Sequence, residues 1–355
     1  MPRARRRPET PIDLALQGGG SHGAFTWGVL DRLLEDDSLA IDGVSGTSAG
    51  ALNAAVMATG WADGGRAGAQ AALRAFWLDV AAQGGCFGGH AAWPAWPAWP
   101  PGVIGLGAFN PDLHPLYVWT QQFLRAFSPY QFNPLGLNPL RSVVARHVEE
   151  AALRRGPLSL FITATAVRTG QPRVFQRHDL SVDALLASAC LPQLFQAVSI
   201  DGEPYWDGGY SGNPALWPLI YATRPLDLLL VQIAPLARHD LPDTPAEIAD
   251  RVNEITFNAG LVAEMRAIAF VQRLVQQGRL TGGSYKNLRL HRIVDDEGLG
   301  RLAPSSKLVT DRRFLEGLHE RGRLAADQWL AAHRGDLGRR GTLDAAATFL
   351  APRRG

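Results

Sequence analysis

The chain has 355 residues, 46% of them hydrophobic and 19% charged, with a formal net charge of +2. That composition excludes a disordered polar chain, and a charge so close to balance gives nucleic-acid binding no electrostatic footing. Cys86 and Cys190 are too few and too far apart for a disulfide framework or a thiolate cluster, so a reducing compartment fits and no metal site is expected from cysteine.

Residues 1–11 carry Arg3, Arg5, Arg6 and Arg7 and read as a disordered basic tail. The following IDLAL is too short for a signal-peptide core, and no apolar run reaches the roughly 18 residues of a membrane span, so a cytoplasmic chain is expected. Asp13 to Gln17 reads as a strand, Gly18, Gly19 and Gly20 as a turn, and Phe25, Val29, Leu30, Leu33 and Leu34 as one side of a helix. Ile41 to Thr47 repeats the arrangement: strand, then a bend at Ser48, then an Ala-rich helix. Two such units in succession imply a parallel sheet with right-handed crossovers. Residues 84–137 break the alternation with glycines, prolines and WPAWPAWPP, an inserted lid-like segment within a catalytic domain expected over 12–335. There Trp93, Trp96 and Trp99 have the spacing that lines one side of a polyproline helix, suited either to packing on the domain or to a lipid interface. Leu140 to Arg155 is helical, LSLFITATAV a buried strand and RVFQ a partner strand, with LDLLLVQIA and NLRLHRI as later strands, so the sheet is mixed. Ala246 to Gln276 has the period of an amphipathic helix, with Gly260 as a candidate break. A closing helix carries Phe314, Leu318, Leu324 and Trp329, and 336–355 reads as a basic C-terminal tail.

The string GTSAG places Ser48 between Gly46 and Gly50, the small-x-Ser-x-small pattern of a nucleophile elbow. A sharp strand-to-helix turn lifts the hydroxyl clear of the sheet, and the helix N-terminus favours a developing alkoxide. A plain N-cap serine has the same local look; the strand before it and the helix after it supply the context. GGGSHGA offers a second component, because successive glycine N–H groups can form a concavity for an oxyanion. Gly18, Gly20 and Gly23 also spell GxGxxG, but the second strand ends in GTSAG where a dinucleotide site needs an acid, and no Gly-Lys-Ser/Thr of a phosphate loop follows. His22, at the start of a helix, reads as a capping or packing residue. Among downstream histidines, His239 stands in a polar loop, His291 inside a strand, and His319 and His333 in the terminal helix, all better suited to structure than to catalysis. The segment YWDGGYSGNPAL offers a carboxylate, Asp207, with Gly208 and Gly209 behind it at a strand end; taken alone it is an ordinary turn.

The order GGGSHG, GTSAG, ASACLPQLFQAVSIDGEPYWDGG, with SKLVTDRRFLEGLHERGRLAADQWL near the end, resembles the patatin-like phospholipases from Asp13 to about His333. The resemblance implies an α/β fold, three layers α/β/α around a mostly parallel sheet, and hydrolysis of acyl esters without a metal or other cofactor. Carried over by motif, Ser48 is the nucleophile, Asp207 the general base, and Gly18, Gly19 and Gly20 the oxyanion loop, supported by Gly23, Gly46, Gly50, Gly208 and Gly209. The expected partner is a lipid or other hydrophobic acyl ester, with peripheral contact at a lipid surface. His22 departs from the pattern, for many bacterial members carry arginine in the glycine loop. Two rivals stay open: a Ser-His-Asp esterase with His239 or His291 as base, and a noncatalytic nucleotide- or lipid-binding scaffold.

Overall fold

The computed structural model describes residues 9–83, 127–238, 241–280 and 285–351. In chain order the elements are β1 (Thr10–Leu16), α1 (Gly23–Leu34), β2 (Leu39–Thr47), α2 (Ala49–Gln83), α3 (Pro129–Phe132), α4 (Pro139–His147), α5 (Glu150–Arg155), β3 (Ser159–Ala166), β4 (Pro172–Gln176), α6 (Val182–Ser188), β5 (Val198–Ile200), β6 (Glu203–Asp207), α7 (Trp217–Ala222), β7 (Asp227–Val231), α8 (Pro245–Gln276), β8 (Arg289–Ile293), α9 (Asp296–Gly300) and α10 (Arg312–His333). The strands form one mixed sheet in the order β5-β6-β3-β2-β1-β7-β8, with β4 against β3. The run β3-β2-β1-β7-β8 is parallel, while β4 and β6 each meet β3 antiparallel.

Side chains alternate between the two faces of a strand, and the apolar residues sort accordingly. Ile12, Leu14, Leu16, Leu229, Val231, Leu160 and Ile162 enter the larger core with α1, α2, α6 and α10. Ala15, Leu228, Leu230 and Phe161 enter a smaller core under α7 and α8. The result is a helix layer, a sheet and a second helix layer, as expected. On the larger face α1 and α10 cross at two glycines, since a Cβ on Gly28 would lie 1.9 Å from His319 O and one on Gly322 2.0 Å from Phe25 O.

Several expectations are adjusted. The helix over 246–276 runs unbroken, because Gly260 is not a break but the point where α8 passes over Ser211 and Gly212; a Cβ there would stand 3.0 Å from Ser211 O. Ile248, Val252 and Ile255 belong to that helical period, yet they are 48%, 57% and 55% exposed. At about 1.5 Å per residue a 32-residue helix is roughly 48 Å long and overruns five-residue strands, so only its later apolar residues, Leu261, Met265 and Ile268, reach the core. Residues 336–351, expected as part of a tail, pack on the domain. Thr342 and Leu343 N–H both donate to Leu290 O at 2.9 Å on the edge strand β8, and Ala345 is buried beside Leu343 and Phe349 in the smaller core. The expected insertion lies outside the described residues up to position 126, Trp93, Trp96 and Trp99 included, as do His239 and the basic residues 1–8.

The end of the sheet away from Ser48 is fixed by a buried acid. Asp227 accepts Arg289 Nη2 at 2.6 Å, His291 Nε2 at 3.0 Å and Gly338 N–H at 3.0 Å. Burial alone would raise its pKa, but the hydrogen bonds from His291 and Arg289 outweigh burial and hold it down to about 2. A carboxylate depressed in the folded state contributes stability that is present above its ordinary value near 3.8 and lost as pH falls through about 2. Asp227→Ala strands the partners and is expected to cost about 3 kcal/mol or more in urea unfolding at neutral pH, with the difference from the wild type shrinking toward pH 2.

Candidate active site

Ser48 closes β2 and opens α2 with a backbone φ of 53°, the left-handed region that a side-chain-bearing residue occupies only where surrounding structure holds it. The turn is tight on every side. A Cβ on Gly46 would lie 2.6 Å from Gly50 O, and one on Gly50 2.1 Å from Leu16 O. Ser48 N–H is received by Ser188 Oγ at 2.9 Å, and that hydroxyl in turn donates to Thr163 O at 2.6 Å. The last residue of α6 thus pins the elbow to β3.

Asp207 reaches Ser48 because two strands share one edge of β3. Parallel β2 pairs with Ser159–Thr163 and antiparallel β6 with Ala164–Ala166, while β4 occupies the other edge. The C-terminal ends of β2 and β6 therefore meet head to head, Thr47 opposite Thr163 and Asp207 opposite Ala164. The loop after Asp207 is then tied down by hydroxyls on the same sheet face: Ser45 Oγ donates to Ala215 O at 2.5 Å, Thr47 Oγ1 to Gly212 O at 2.7 Å, and Thr165 Oγ1 to Asp207 O at 2.8 Å. Gly208 and Gly209 allow this approach, since a Cβ would fall 2.0 Å from Thr163 O in the first and 2.2 Å from the Phe257 ring in the second.

The Asp207 carboxyl is fully buried. Oδ1 accepts Gly209 N–H at 2.8 Å, and Oδ2 has no hydrogen bond of normal geometry. Burial pushes the pKa up to about 7, against the Gly209 N–H and the Ser48 hydroxyl, which both favour the carboxylate. Asp13 and Glu264 are also raised by burial to about 7. Asp13, however, is bonded through both oxygens to Thr223 and Gly43, and Glu264 caps α7 through the N–H groups of Leu216 and Trp217, 2.8 Å each. Of the three, Asp207 alone keeps a buried oxygen unengaged, and the Ser48 hydroxyl is among the groups that favour its carboxylate.

The glycine loop follows β1 and lies over the elbow: a Cβ on Gly18 would stand 2.7 Å from Ser48 Cβ, and one on Gly23 2.6 Å from Ala49 Cβ. Gly18 N–H is already given to Asn213 Oδ1 at 2.6 Å, while Gly19 and Gly20 N–H have no partner among the described residues. Of the expected trio, Gly18 thus has its N–H committed to Asn213. His22 is buried, its Nε2 2.8 Å from Ser306 Oγ. His291 is engaged on both nitrogens by Asp227 and Thr342, His319 by Asp31 and His333 by Asp336, so none of these histidines faces Ser48. Among the described residues no three His, Cys, Asp or Glu side chains are grouped so as to hold a metal.

A family model for patatin-like phospholipase matches residues 14–220, more than half of the chain, and spans the glycine loop, the elbow and the Asp207 loop. The chain belongs to the patatin-like phospholipase family. No curated protein matches this family member in sequence. Among solved structures it is similar to VipD from Legionella pneumophila at 12% identity, over 97% of this chain and 73% of that one, with a TM-score of 0.38. It is also similar to the ExoU–SpcU complex from the type III secretion system of Pseudomonas aeruginosa at 20% identity, over 96% and 74% of the two chains, with a TM-score of 0.31.

Four polar residues of this patatin-like site escape sequence reading. Ser188 and Asn213 clamp the elbow and the glycine loop; Gln17 Oε1 accepts from Ile233 N–H at 2.9 Å and Ala234 N–H at 2.7 Å, and its amide donates to Asn258 Oδ1 at 2.9 Å. Nothing local assigns them a role, although Ser188 and Asn213 lie within the segments ASACLPQ and YWDGGYSGNPAL. Ser188→Ala removes an acceptor from Ser48 N–H and a donor from Thr163 O, both buried, and is expected to lower unfolding free energy by about 1–3 kcal/mol. Reactivity of Ser48 toward a fluorophosphonate should fall with it, read as the labelling rate of folded protein.

Proposed function

We propose that the chain is a serine acyl hydrolase that cleaves lipid or other hydrophobic acyl esters through Ser48 and Asp207, with no histidine in the relay. The observation that carries this reading is the buried, half-engaged Asp207 carboxyl beside a Ser48 held in the left-handed region. A pKa near 7 makes Asp207 a far better acceptor for an alcohol proton than an ordinary aspartate near 4.

Asp207 takes the Ser48 proton as Oγ attacks the ester carbonyl. The oxyanion forms against the Gly19 and Gly20 N–H groups and the N-terminus of α2. Collapse expels the alcohol, to which Asp207 returns the proton. Water then enters, Asp207 accepts its proton, and the acyl group leaves as the free acid, restoring Ser48. Gly18 supports the loop through Asn213 rather than donating to the oxyanion. No helix among the described residues is long and apolar enough to cross a membrane.

The test is release of fatty acids from a broad lipid extract, followed by mass spectrometry. Ser48→Ala and Asp207→Asn are each expected to lower turnover by roughly 10⁴-fold or more while leaving the circular dichroism spectrum intact. His239→Ala and His291→Ala should keep a working site, His291→Ala at reduced stability. Substantial hydrolysis by the Ser48→Ala protein, or its loss with His239→Ala alone, overturns the reading. Because only the carboxylate can act as base, kcat/KM on a soluble ester is expected to rise with pH along a single ionisation near 7.

A further inference from the structure

His22 is a buried titratable group that the mechanism above does not use, and its side-chain partner Ser306 lies outside the residues matched by the family model. The 3-10 turn Pro304–Leu308 rests directly on the glycine loop. Gly20 has a φ of +58°, and a Cβ there would come within 2.3 Å of Lys307 O. Two residues on, His22 Nε2 lies 2.8 Å from Ser306 Oγ.

The direction of that hydrogen bond follows from counting protons. The Ser306 hydroxyl has a single proton, and its oxygen stands 2.6 Å from Ala303 O, which can only accept. Ser306 Oγ therefore receives from His22, and the imidazole carries its proton on Nε2. Nδ1 is a bare acceptor, buried and without a partner. A second ring proton would be a buried donor with nothing to receive it. Burial, with the charges of Lys307 and Arg238, accordingly lowers the His22 pKa to about 3, so the ring is neutral wherever Asp207 can ionise.

The turn that receives His22 is itself anchored. Glu254 on α8 accepts Arg238 Nη2 at 2.6 Å and Nε at 3.1 Å, and Lys307 Nζ lies 3.9 Å from Glu254 Oε1. Arg238 also donates to the carbonyls of Gly300 and Leu302, tying the segment before the turn to the same point. The neighbouring turns of α8 press Phe257 against Gly209 and Gly260 against Ser211. One helix thus backs the Asp207 loop and, through Glu254 and the 304–308 turn, the glycine loop.

We infer that His22 is a positioning residue for the oxyanion loop: its Nε2–H bond to Ser306 fixes the loop on the 304–308 turn, so that the Gly19 and Gly20 N–H groups stay set for the transition state. The role differs from that of a cation, since a neutral donor anchors backbone and brings no charge to the oxyanion. It rests on the acyl-hydrolase reading. A misplaced oxyanion donor costs kcat, and ground-state binding of an acyl chain does not depend on it.

The experiment compares wild-type, Ser306→Ala, Ser306→Thr and His22→Gln full-length proteins on a soluble p-nitrophenyl ester, at a temperature where circular dichroism shows all four folded. Ser306→Ala is expected to lower kcat by about 10- to 100-fold with KM changed less than about twofold. Ser306→Thr, which keeps the acceptor, and His22→Gln, whose amide nitrogen can take the place of Nε2, should recover most of that loss. Nitrogen-15 NMR of the wild type should show His22 as the Nε2–H tautomer from pH 5 to 8, a signature that Ser306→Ala alters. A wild-type kcat in Ser306→Ala, a rise in KM alone, or an Nδ1–H tautomer overturns the positioning role. A wild-type protein whose turnover survives Ser48→Ala instead overturns the hydrolase reading, and this inference with it.

Discussion

Two strands end against the same edge of β3, and the rest of the site depends on that arrangement. Each stretch of a strand edge can be paired only once, and here β2 takes the first half and β6 the second from the opposite direction. Their termini are forced together with no residue of β3 between them unpaired. Ser48 and Asp207, remote in sequence, are set by backbone pairing before any side chain contributes. The hydroxyls of Ser45, Thr47 and Thr165 then hold the chain after Asp207 down on the sheet, using the face that elsewhere carries the smaller core. Polar groups appear on that face because the loop carbonyls buried there must be satisfied.

The electrostatics of the site rest on what is kept away from it. Asp207 and Asp227 are both buried aspartates at strand ends of one sheet, yet one is held near 7 and the other near 2. Arg289 and His291 decide the difference, for they supply cationic and hydrogen-bonding partners to Asp227, whereas the one hydrogen bond of normal geometry to the Asp207 carboxyl is the Gly209 N–H. Arg238, Arg251 and Lys307, by contrast, converge on Glu254. No cation is among the groups that set the Asp207 pKa, and burial therefore keeps it raised.

Much of this architecture is legible in the sequence, for reasons that also mark where legibility stops. The two strand–turn–helix units announce themselves because buried parallel strands need unbroken apolar runs, and Ser48 because an elbow needs Gly46 and Gly50. Asp207 emerges only by its place in a family pattern, since three residues of β6 bonded to β3 leave no periodic trace. The clamps at Ser188, Asn213 and Ser306 rest on polar contacts across 140, 195 and 284 residues, and no local pattern encodes such a pairing. Ile248, Val252 and Ile255 show the opposite failure: the helical period is real, but helix length rather than pattern decides which turns the sheet can cover.

The most direct measurement is a carbon-13 NMR titration of the Asp207 side-chain carboxyl, assigned by its loss in Asp207→Asn. The expected midpoint is near 7, moving higher in Ser48→Ala, because the serine hydroxyl is one of the groups that favours the charged form. A midpoint near 4, or one that ignores removal of the hydroxyl, would show that the carboxyl is neither buried nor joined to Ser48, and would contradict the account at its centre.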